Sequence, residues 1–273
     1  MNKLSIAIIL SALISIQLAA GEKKVVLFDL SHGELFLPTN SSPLDHFRMA
    51  SLFRNNGYGV RSSTGSVKTE SLKRVNVFVV NGAMKEFSNS EIRTISDYIH
   101  KGGNVLILLH ISSPVARLTE LFGIVVSNFV VHERAKELFL NTNGSDFLVN
   151  KFQQHPLFDK VKNISVYGSW GLNAEGRYAK LLASTSAKAY ADLNQNNRYE
   201  LTDAAQSFGI AALAEIGKGK LLVISDDAIF NNSFLSQANN EQFAKNIIDY
   251  FSGKKKISNQ KLKRKQQLSK FKE

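Results

Sequence analysis

The chain has 273 residues, a formal net charge of +11 and no cysteine. A chain of this length can bury the core of one α/β domain with an elaboration, or of two small domains. The lack of cysteine excludes disulfides, thiolate metal sites, a cysteine nucleophile and a lipid anchor on cysteine.

The first twenty residues match an export signal. Lys3 supplies the positive start, residues 4–16 form a short apolar segment, and residues 18–20 provide small side chains for cleavage. The apolar segment is short for a membrane span, and an uncleaved anchor is the alternative interpretation. We predict a signal peptide at residues 1–20. A periplasmic location follows, because an exported protein without disulfides fits that compartment.

Four short apolar runs end abruptly in polar residues, and three helical patterns lie between them. The runs are residues 25–30, 77–80, 105–109 and 221–224. The helical patterns cover residues 43–55, 88–100 and 114–122. Runs of Val, Ile, Leu and Phe are typical of strands buried on both faces of a parallel sheet. The alternation predicts a doubly wound, mostly parallel α/β sheet, with a capping box at Ser88 and Glu91.

The pattern changes between residues 124 and 207. Short strand-like segments separated by turn residues predict a β-rich insertion or edge elaboration there. Residues 208–215 and 220–225 follow as a predicted hairpin, because the Gly-rich connection between them is typical of a tight turn. We predict one α/β domain over residues 21–252.

The positive charge is concentrated after this domain. Residues 253–273 contain eight Lys, one Arg and one Glu, so the rest of the chain is close to neutral. Such a basic tail attracts anionic lipid, and an anionic membrane surface is its predicted partner. A solvated tail is the simpler interpretation of the same composition. Nucleic acid is not a favoured partner, because export separates the protein from it.

Polar residues follow each of the four buried runs. The carboxyl ends of parallel strands lie at one edge of a sheet, where open α/β sheets bind ligands. We therefore predict a ligand site at this edge. Its candidate residues are Asp29, His32, Glu34, Asn81, Gly82, His110, Ser112, Asp226 and Asp227. In the structural alternative, the aspartates only satisfy loop amides or cap helices.

Two kinds of chemistry are compatible with this edge. A relay of Ser112, His32 and Asp227 predicts a hydrolase, although Ser112 lacks the flanking glycines of a nucleophile elbow. A metal site formed by His32 and Glu34 with His110 and Asp226 is the other prediction, although His-x-Glu has no recognised metal spacing. Neither pattern is complete.

Residues 192–203 have the spacing of a calcium-binding loop. Oxygen ligands fall at the required positions, and one position offers its backbone carbonyl. The candidate ligands are Asp192, Asn194, Asn196, Arg198, Glu200 and Asp203. Asn197 replaces the usual glycine, but asparagine tolerates the left-handed conformation. We predict weak calcium binding and no other cofactor. An Asn-rich hairpin turn between residues 187–191 and 208–214 is the alternative.

Four stretches of the chain carry motifs of a known family. They are Phe28-Asp29-Leu30-Ser31-His32-Gly33, residues 87–109, His155-Pro156-Leu157-Phe158, and residues 217–240. In these stretches the chain resembles the exported bacterial family DUF4350, which is related to domains of the GldG/IFT type. The resemblance covers most of residues 24–252 and implies a flavodoxin-like fold of the class I glutamine amidotransferase type.

The resemblance also bears on activity. In active amidotransferases of that fold a cysteine nucleophile follows the strand that here covers residues 105–109, and this chain has His110-Ile111-Ser112 there. The resemblance therefore implies a scaffold without glutaminase chemistry and with a binding or assembly role. We predict an exported, non-catalytic protein that binds a small molecule or a partner protein at the carboxyl edge. The alternatives are a hydrolase using the same edge and an envelope assembly factor tethered by the basic tail.

Overall fold

The computed structural model describes residues 24–110 and 114–254. The predicted signal, Ser112 and residues 255–273 of the basic tail lie outside the described residues. The strands are β1 (Val25–Asp29), β2 (Gly59–Ser63), β3 (Val77–Asn81), β4 (Asn104–Leu108), β5 (Ile124–His132), β6 (Asp146–Val149), β7 (Lys151–Phe152), β8 (Ile164–Tyr167), β9 (Trp170–Ala174), β10 (Ala179–Ser184), β11 (Tyr190–Ala191), β12 (Ala204–Ala205), β13 (Gly209–Ile216) and β14 (Gly219–Ile224). The helices are α1 (Phe47–Asn55), α2 (Asn89–His100), α3 (Ala116–Glu120) and α4 (Asn240–Phe251). None of the helices in these two ranges is long and apolar enough to span a bilayer.

Twelve of the described strands form one mixed sheet. Its order is β12-β11-β5-β9-β13-β14-β4-β3-β1-β2, with β10 paired to β13 and β7 paired to β10. The neighbouring strands β2, β1, β3, β4 and β14 are parallel. The other seven pair antiparallel. Strands β6 and β8 form a separate antiparallel pair.

The prediction of a mostly parallel sheet is therefore correct for one half of the sheet and wrong for the other. The predicted hairpin of β13 and β14 is confirmed, and it reverses the chain direction inside the sheet. Strands from residues 124–207 then continue the same sheet beyond β13, with antiparallel pairing. Strands β9 and β10 pair with β13, and β5, β11, β12 and β7 pair in turn with one another or with these two. The predicted β-rich edge elaboration over residues 124–207 is therefore present.

The parallel strands are buried on both faces, as their apolar runs predict. In β3, Val77 and Val79 pack on one face of the sheet with α1 and α4. Phe78 and Val80 pack on the opposite face with α2 and α3. This alternation follows from the two-residue period of a strand, and it places helices on both faces of the sheet.

The ends of α1 and α2 have local causes. The capping box of α2 is confirmed, because Ser88 Oγ accepts from the amide of Glu91 and the carboxylate of Glu91 accepts from the amide of Ser88. Helix α1 begins at Phe47, four residues later than residue 43 where the sequence predicts its start. The preceding residues are held as a loop, since the amide of Leu37 donates to Asp45 at 2.7 Å.

Candidate functional site

The carboxyl ends of β1, β3, β4 and β14 lie at one edge of the sheet, because these strands are parallel neighbours. The polar residues that follow them form two groups. We name the group after β1 the His32 cluster; it contains Asp29, Ser31, His32, Glu34 and the helix residue Glu91. We name the second group the His110 cluster; it contains His46, Asn81, Gly82, His110 and Asp227.

The imidazole of the His32 cluster lies between two carboxylates. Its Nδ1 is 2.6 Å from Oδ2 of Asp29, and its Nε2 is 3.5 Å from Oε1 of Glu91. The ring also stacks on Phe87, with 3.6 Å between the ring centroids. These three contacts fix the orientation of His32 in a buried position.

Charge is stabilised unequally within the His32 cluster. Burial lowers the pKa of His32, but the hydrogen bond and negative charge of Asp29 more than compensate, so its pKa is raised. Burial likewise opposes the charge of Glu91, but hydrogen bonds from Ser88 and from the amide of Val67 hold the pKa of Glu91 at about 2. The imidazolium of His32 is therefore favoured between Asp29 and Glu91.

Glu34 is the least satisfied member of this cluster. Its Oε2 accepts from the amide of His32 at 2.8 Å. Its Oε1 is buried and has no hydrogen-bond partner among the described residues. Burial and the charge of Asp29 raise the pKa of Glu34 to about 7. The carboxyl group of Glu34 is therefore harder to ionise than that of an ordinary glutamate.

The His110 cluster is built on an imidazole–carboxylate pair. Nδ1 of His110 is 3.0 Å from Oδ2 and 3.1 Å from Oδ1 of Asp227. The hydrogen bond and charge of Asp227 raise the pKa of His110, although burial opposes them. The side chain of His110 is 16% exposed, so it is reachable from solvent.

Two neighbouring residues, Gly82 and His46, help to position Asp227. A Cβ at position 82 would lie 2.6 Å from Oδ2 of Asp227, so glycine makes room for this carboxylate, and the φ of +69° at Gly82 also favours glycine. Nε2 of His46 is 2.9 Å from the carbonyl oxygen of Asp227 and donates to it. Burial lowers the pKa of His46, so this imidazole is neutral.

Asn81 completes the cluster and has one unsatisfied atom. Its Nδ2 donates to the carbonyl oxygen of Phe36 at 3.2 Å and to Nδ1 of His46 at 3.1 Å. Its Oδ1 is buried and finds no hydrogen-bond partner in the described part of the chain. His46 and Glu91 were not predicted as site residues. Neither follows a buried strand, and the capping spacing was the only signal at Glu91.

Asp226 belongs to neither cluster. Its two carboxylate oxygens accept from the amides of Tyr167 and Ala228, each at 2.8 Å, and burial raises its pKa well above the usual range. It therefore satisfies two backbone amides, one at the end of β8 and one shortly after β14. The predicted relay through His32 and Asp227 is also wrong, because His32 pairs with Asp29 instead.

The predicted calcium loop joins β11 to β12, which pair antiparallel. Asp192 accepts from the amides of Asn196 at 3.2 Å and Asn197 at 2.8 Å, and Asp203 accepts from the amide of Glu200 at 2.7 Å. Asn197 has φ +58°, the left-handed conformation predicted for it. The hairpin alternative is wrong in its second strand, which is β12 rather than residues 208–214.

Comparison with known families gives a clear assignment. The model of the family described as "Domain of unknown function (DUF4350)" matches residues 38–248. The chain belongs to the DUF4350 family. No curated protein matches the sequence.

Solved structures of similar fold are diverse. The N-terminal domain of mmIFT52 has a TM-score of 0.67 at 17% identity, over 83% of this chain and 96% of that one. A ThuA-like protein from Bacteroides uniformis ATCC 8492 has a TM-score of 0.51 at 14% identity, over 85% and 91%. Cytoplasmic Protein STM1381 from Salmonella typhimurium LT2 has a TM-score of 0.53 at 14% identity, over 84% and 99%. These likenesses concern the fold alone, which is a mixed α/β fold built on a large sheet.

Asp227→Asn is expected to lower the pKa of His110, because Asp227 favours the protonated imidazole. With Asp227 present, the pair stabilises the fold fully below pH 6.5, and this contribution is lost as the pH rises through the raised pKa of His110. The titration is followed by NMR at the ring proton Hε1. Urea unfolding at mildly acidic pH should show a loss of about 1–3 kcal/mol.

Asp97→Asn is the matched control, because Asp97 is exposed on α2 and remote from the edge. It should leave both measurements unchanged. If His110 titrates identically with and without the Asp227 carboxylate, the pair does not set its protonation.

Calcium at millimolar concentration is expected to raise the melting temperature of the full chain, as weak binding by the loop of residues 192–203 predicts. Asp192→Asn should abolish the rise, because it removes charge at the first ligand position. Magnesium serves as the ion control and Asp97→Asn as the variant control. Without a rise in the unaltered protein, the loop is a hairpin turn and not a calcium site.

Proposed function

We propose that this protein is an exported, non-catalytic binding protein whose ligand occupies the His110 cluster. One observation carries this proposal. A buried acceptor without a partner, Asn81 Oδ1, lies in the same cluster as the solvent-reachable pair of His110 and Asp227. An unsatisfied buried acceptor costs about 1–3 kcal/mol, and a ligand that donates a hydrogen bond there recovers that cost.

The cluster also indicates the chemistry of the ligand. Asn81 Oδ1 accepts hydrogen bonds, and the carboxylate of Asp227 in the same cluster is a further acceptor. The charged imidazole of His110 is already neutralised by Asp227, so no net positive charge remains to attract an anion. These features favour a small molecule rich in hydroxyl, amide or amine donors over a phosphate or another anion.

The chemical groups of the cluster favour binding over catalysis. The sequence contains no cysteine, so the thiol of an active amidotransferase is missing. Within the residues that the structure describes, His110 bonds only to Asp227 and not to a hydroxyl group. Among the residues of the two described ranges, His110 therefore has no hydroxyl nucleophile beside it, which favours holding a ligand over cleaving it.

Export is supported by the sequence pattern of residues 1–20. If the signal is used, the mature chain should begin at Gly21 when the full sequence is expressed in a bacterium. Intact mass and N-terminal sequencing of protein from the periplasmic fraction measure this. A chain that keeps residues 1–20 in the cytoplasmic fraction would contradict export.

A hydrolase is the second candidate, and the His110–Asp227 pair favours it. A carboxylate on Nδ1 orients an imidazole as a general base, as in serine hydrolases. Ser112 would have to supply the nucleophile. This candidate differs from the first in requiring turnover that depends on Ser112.

The test is a thermal-shift screen of the purified full chain against monosaccharides, amino acids and polyamines, with nucleoside phosphates as the anionic comparison. We expect a donor-rich compound to raise the melting temperature by several degrees at a hundredfold excess over its Kd, equivalent to about 2.7 kcal/mol. His110→Gln and Asp227→Asn should abolish the rise, whereas Asp97→Asn should keep it.

The same samples are assayed with p-nitrophenyl acetate. Turnover that disappears in Ser112→Ala would replace the binding proposal by the hydrolase. A rise in melting temperature that persists in both His110→Gln and Asp227→Asn would place the ligand elsewhere. If no compound stabilises the unaltered chain, the proposed ligand chemistry is wrong.

A further inference from the structure

The His32 cluster brings three metal-binding side chains together. Asp29, His32 and Glu34 each offer one ligand atom, and these atoms all lie within 4.8 Å of one another. All three residues are buried, and they belong to one six-residue segment at the end of β1. The predicted metal ligands His110 and Asp226 do not belong to this group, because His110 pairs with Asp227 and Asp226 accepts from two backbone amides. Asp29 lies beside His32 and Glu34 instead.

The second observation is independent of this proximity. Glu34 is 9% exposed, and its Oε1 has no hydrogen-bond partner among the described residues. Its other oxygen is held by the amide of His32, so the carboxylate cannot turn away without losing that bond. A buried, oriented carboxyl oxygen without a hydrogen-bond partner is a suitable ligand for a cation.

The charges of the His32 cluster also favour a bound cation. Three carboxylates, from Asp29, Glu34 and Glu91, surround the single imidazole of His32. His32 forms an ion pair with Asp29 through Nδ1 and with Glu91 through Nε2. Buried carboxylates are normally paired or bound to metal. Even with Glu34 protonated, the single imidazolium of His32 compensates only one of the two negative charges of Asp29 and Glu91.

The surrounding contacts hold the three side chains in place. Asp29 Oδ1 accepts from the hydroxyl of Ser31 at 2.7 Å and from its amide at 3.2 Å, which leaves Oδ2 facing His32. The stacking of His32 on Phe87 fixes the plane of the imidazole. Such outer contacts orient ligands in metal sites and reduce the cost of ordering them.

We propose that Asp29, His32 and Glu34 bind one divalent transition-metal ion of the zinc class. A donor set of one imidazole and two carboxylates suits such ions, whereas calcium and magnesium prefer oxygen ligands alone. The ion takes the place of the proton shared by His32 Nδ1 and Asp29 Oδ2. Because zinc–ligand bonds are about 2.0–2.2 Å long and roughly tetrahedral, these two atoms move from 2.6 Å apart to about 3.4 Å.

The proposal is tested on the purified full chain after chelation and dialysis. Equilibrium dialysis against zinc, followed by elemental analysis, should find one ion per chain. Cobalt provides a second readout, because ligand binding changes its visible absorption. Glu34→Gln keeps the size of the side chain and an acceptor for the His32 amide, and it should weaken binding by at least about tenfold.

Two controls separate this site from the others. Glu137→Gln makes the same change at an exposed position, and Asp227→Asn alters only the His110 cluster. Both variants should bind zinc as the unaltered chain does. The zinc test therefore does not depend on whether any ligand binds at the His110 cluster. Equal zinc affinity in Glu34→Gln would place the ion elsewhere and overturn the proposal. No zinc or cobalt binding by the unaltered chain would show that the cluster is a self-contained ion network, and would overturn it equally.

Discussion

The burial of β1, β3, β4 and β14 on both faces determines where this protein can place polar chemistry. Side chains within these strands enter one of two apolar cores, so charged groups are confined to the points where the strands end. The parallel pairing of the four strands then collects those points at one edge. Every residue of the two proposed sites, apart from Glu91 on α2 and His46 beside α1, reaches the edge in this way.

The sequence predicts this half of the molecule well. Its long apolar runs, the Ser88–Glu91 capping box and the Gly-rich hairpin are each encoded in a short stretch of consecutive residues. The sequence also predicts a β-rich elaboration after residue 124, but it misses some of the strands there and their pairing. Strand β9, which begins at Trp170, mixes aromatic, glycine and polar residues, and β7 and β12 are two residues long. Such segments become strands only because a neighbouring strand offers its edge, which is a tertiary effect that periodicity does not record.

The candidate residues were predictable as a set but not as pairs. Any doubly wound sheet gathers polar residues at its carboxyl edge, and the pairing of imidazoles with carboxylates depends on loop paths of a few ångströms. Here Gly82 leaves room for Asp227 beside His110, while the short turn after β1 returns His32 to Asp29. Asp226 illustrates the same limit, since the amides of Tyr167 and Ala228 donate to both of its carboxylate oxygens.

The loop after β1 physically joins the two clusters. Its carbonyl at His32 accepts from the amides of Met84 and Lys85, each at 2.8 Å, so it is fastened to the loop that follows β3. Two residues beyond Glu34, the carbonyl of Phe36 accepts from Asn81, and the ring of Phe36 packs edge-on against His110 at 5.5 Å. A cation that fixes Glu34 would therefore also fix Phe36, which forms one wall of the His110 cluster. The metal and ligand proposals rest on separate side chains, but the backbone that positions them is shared.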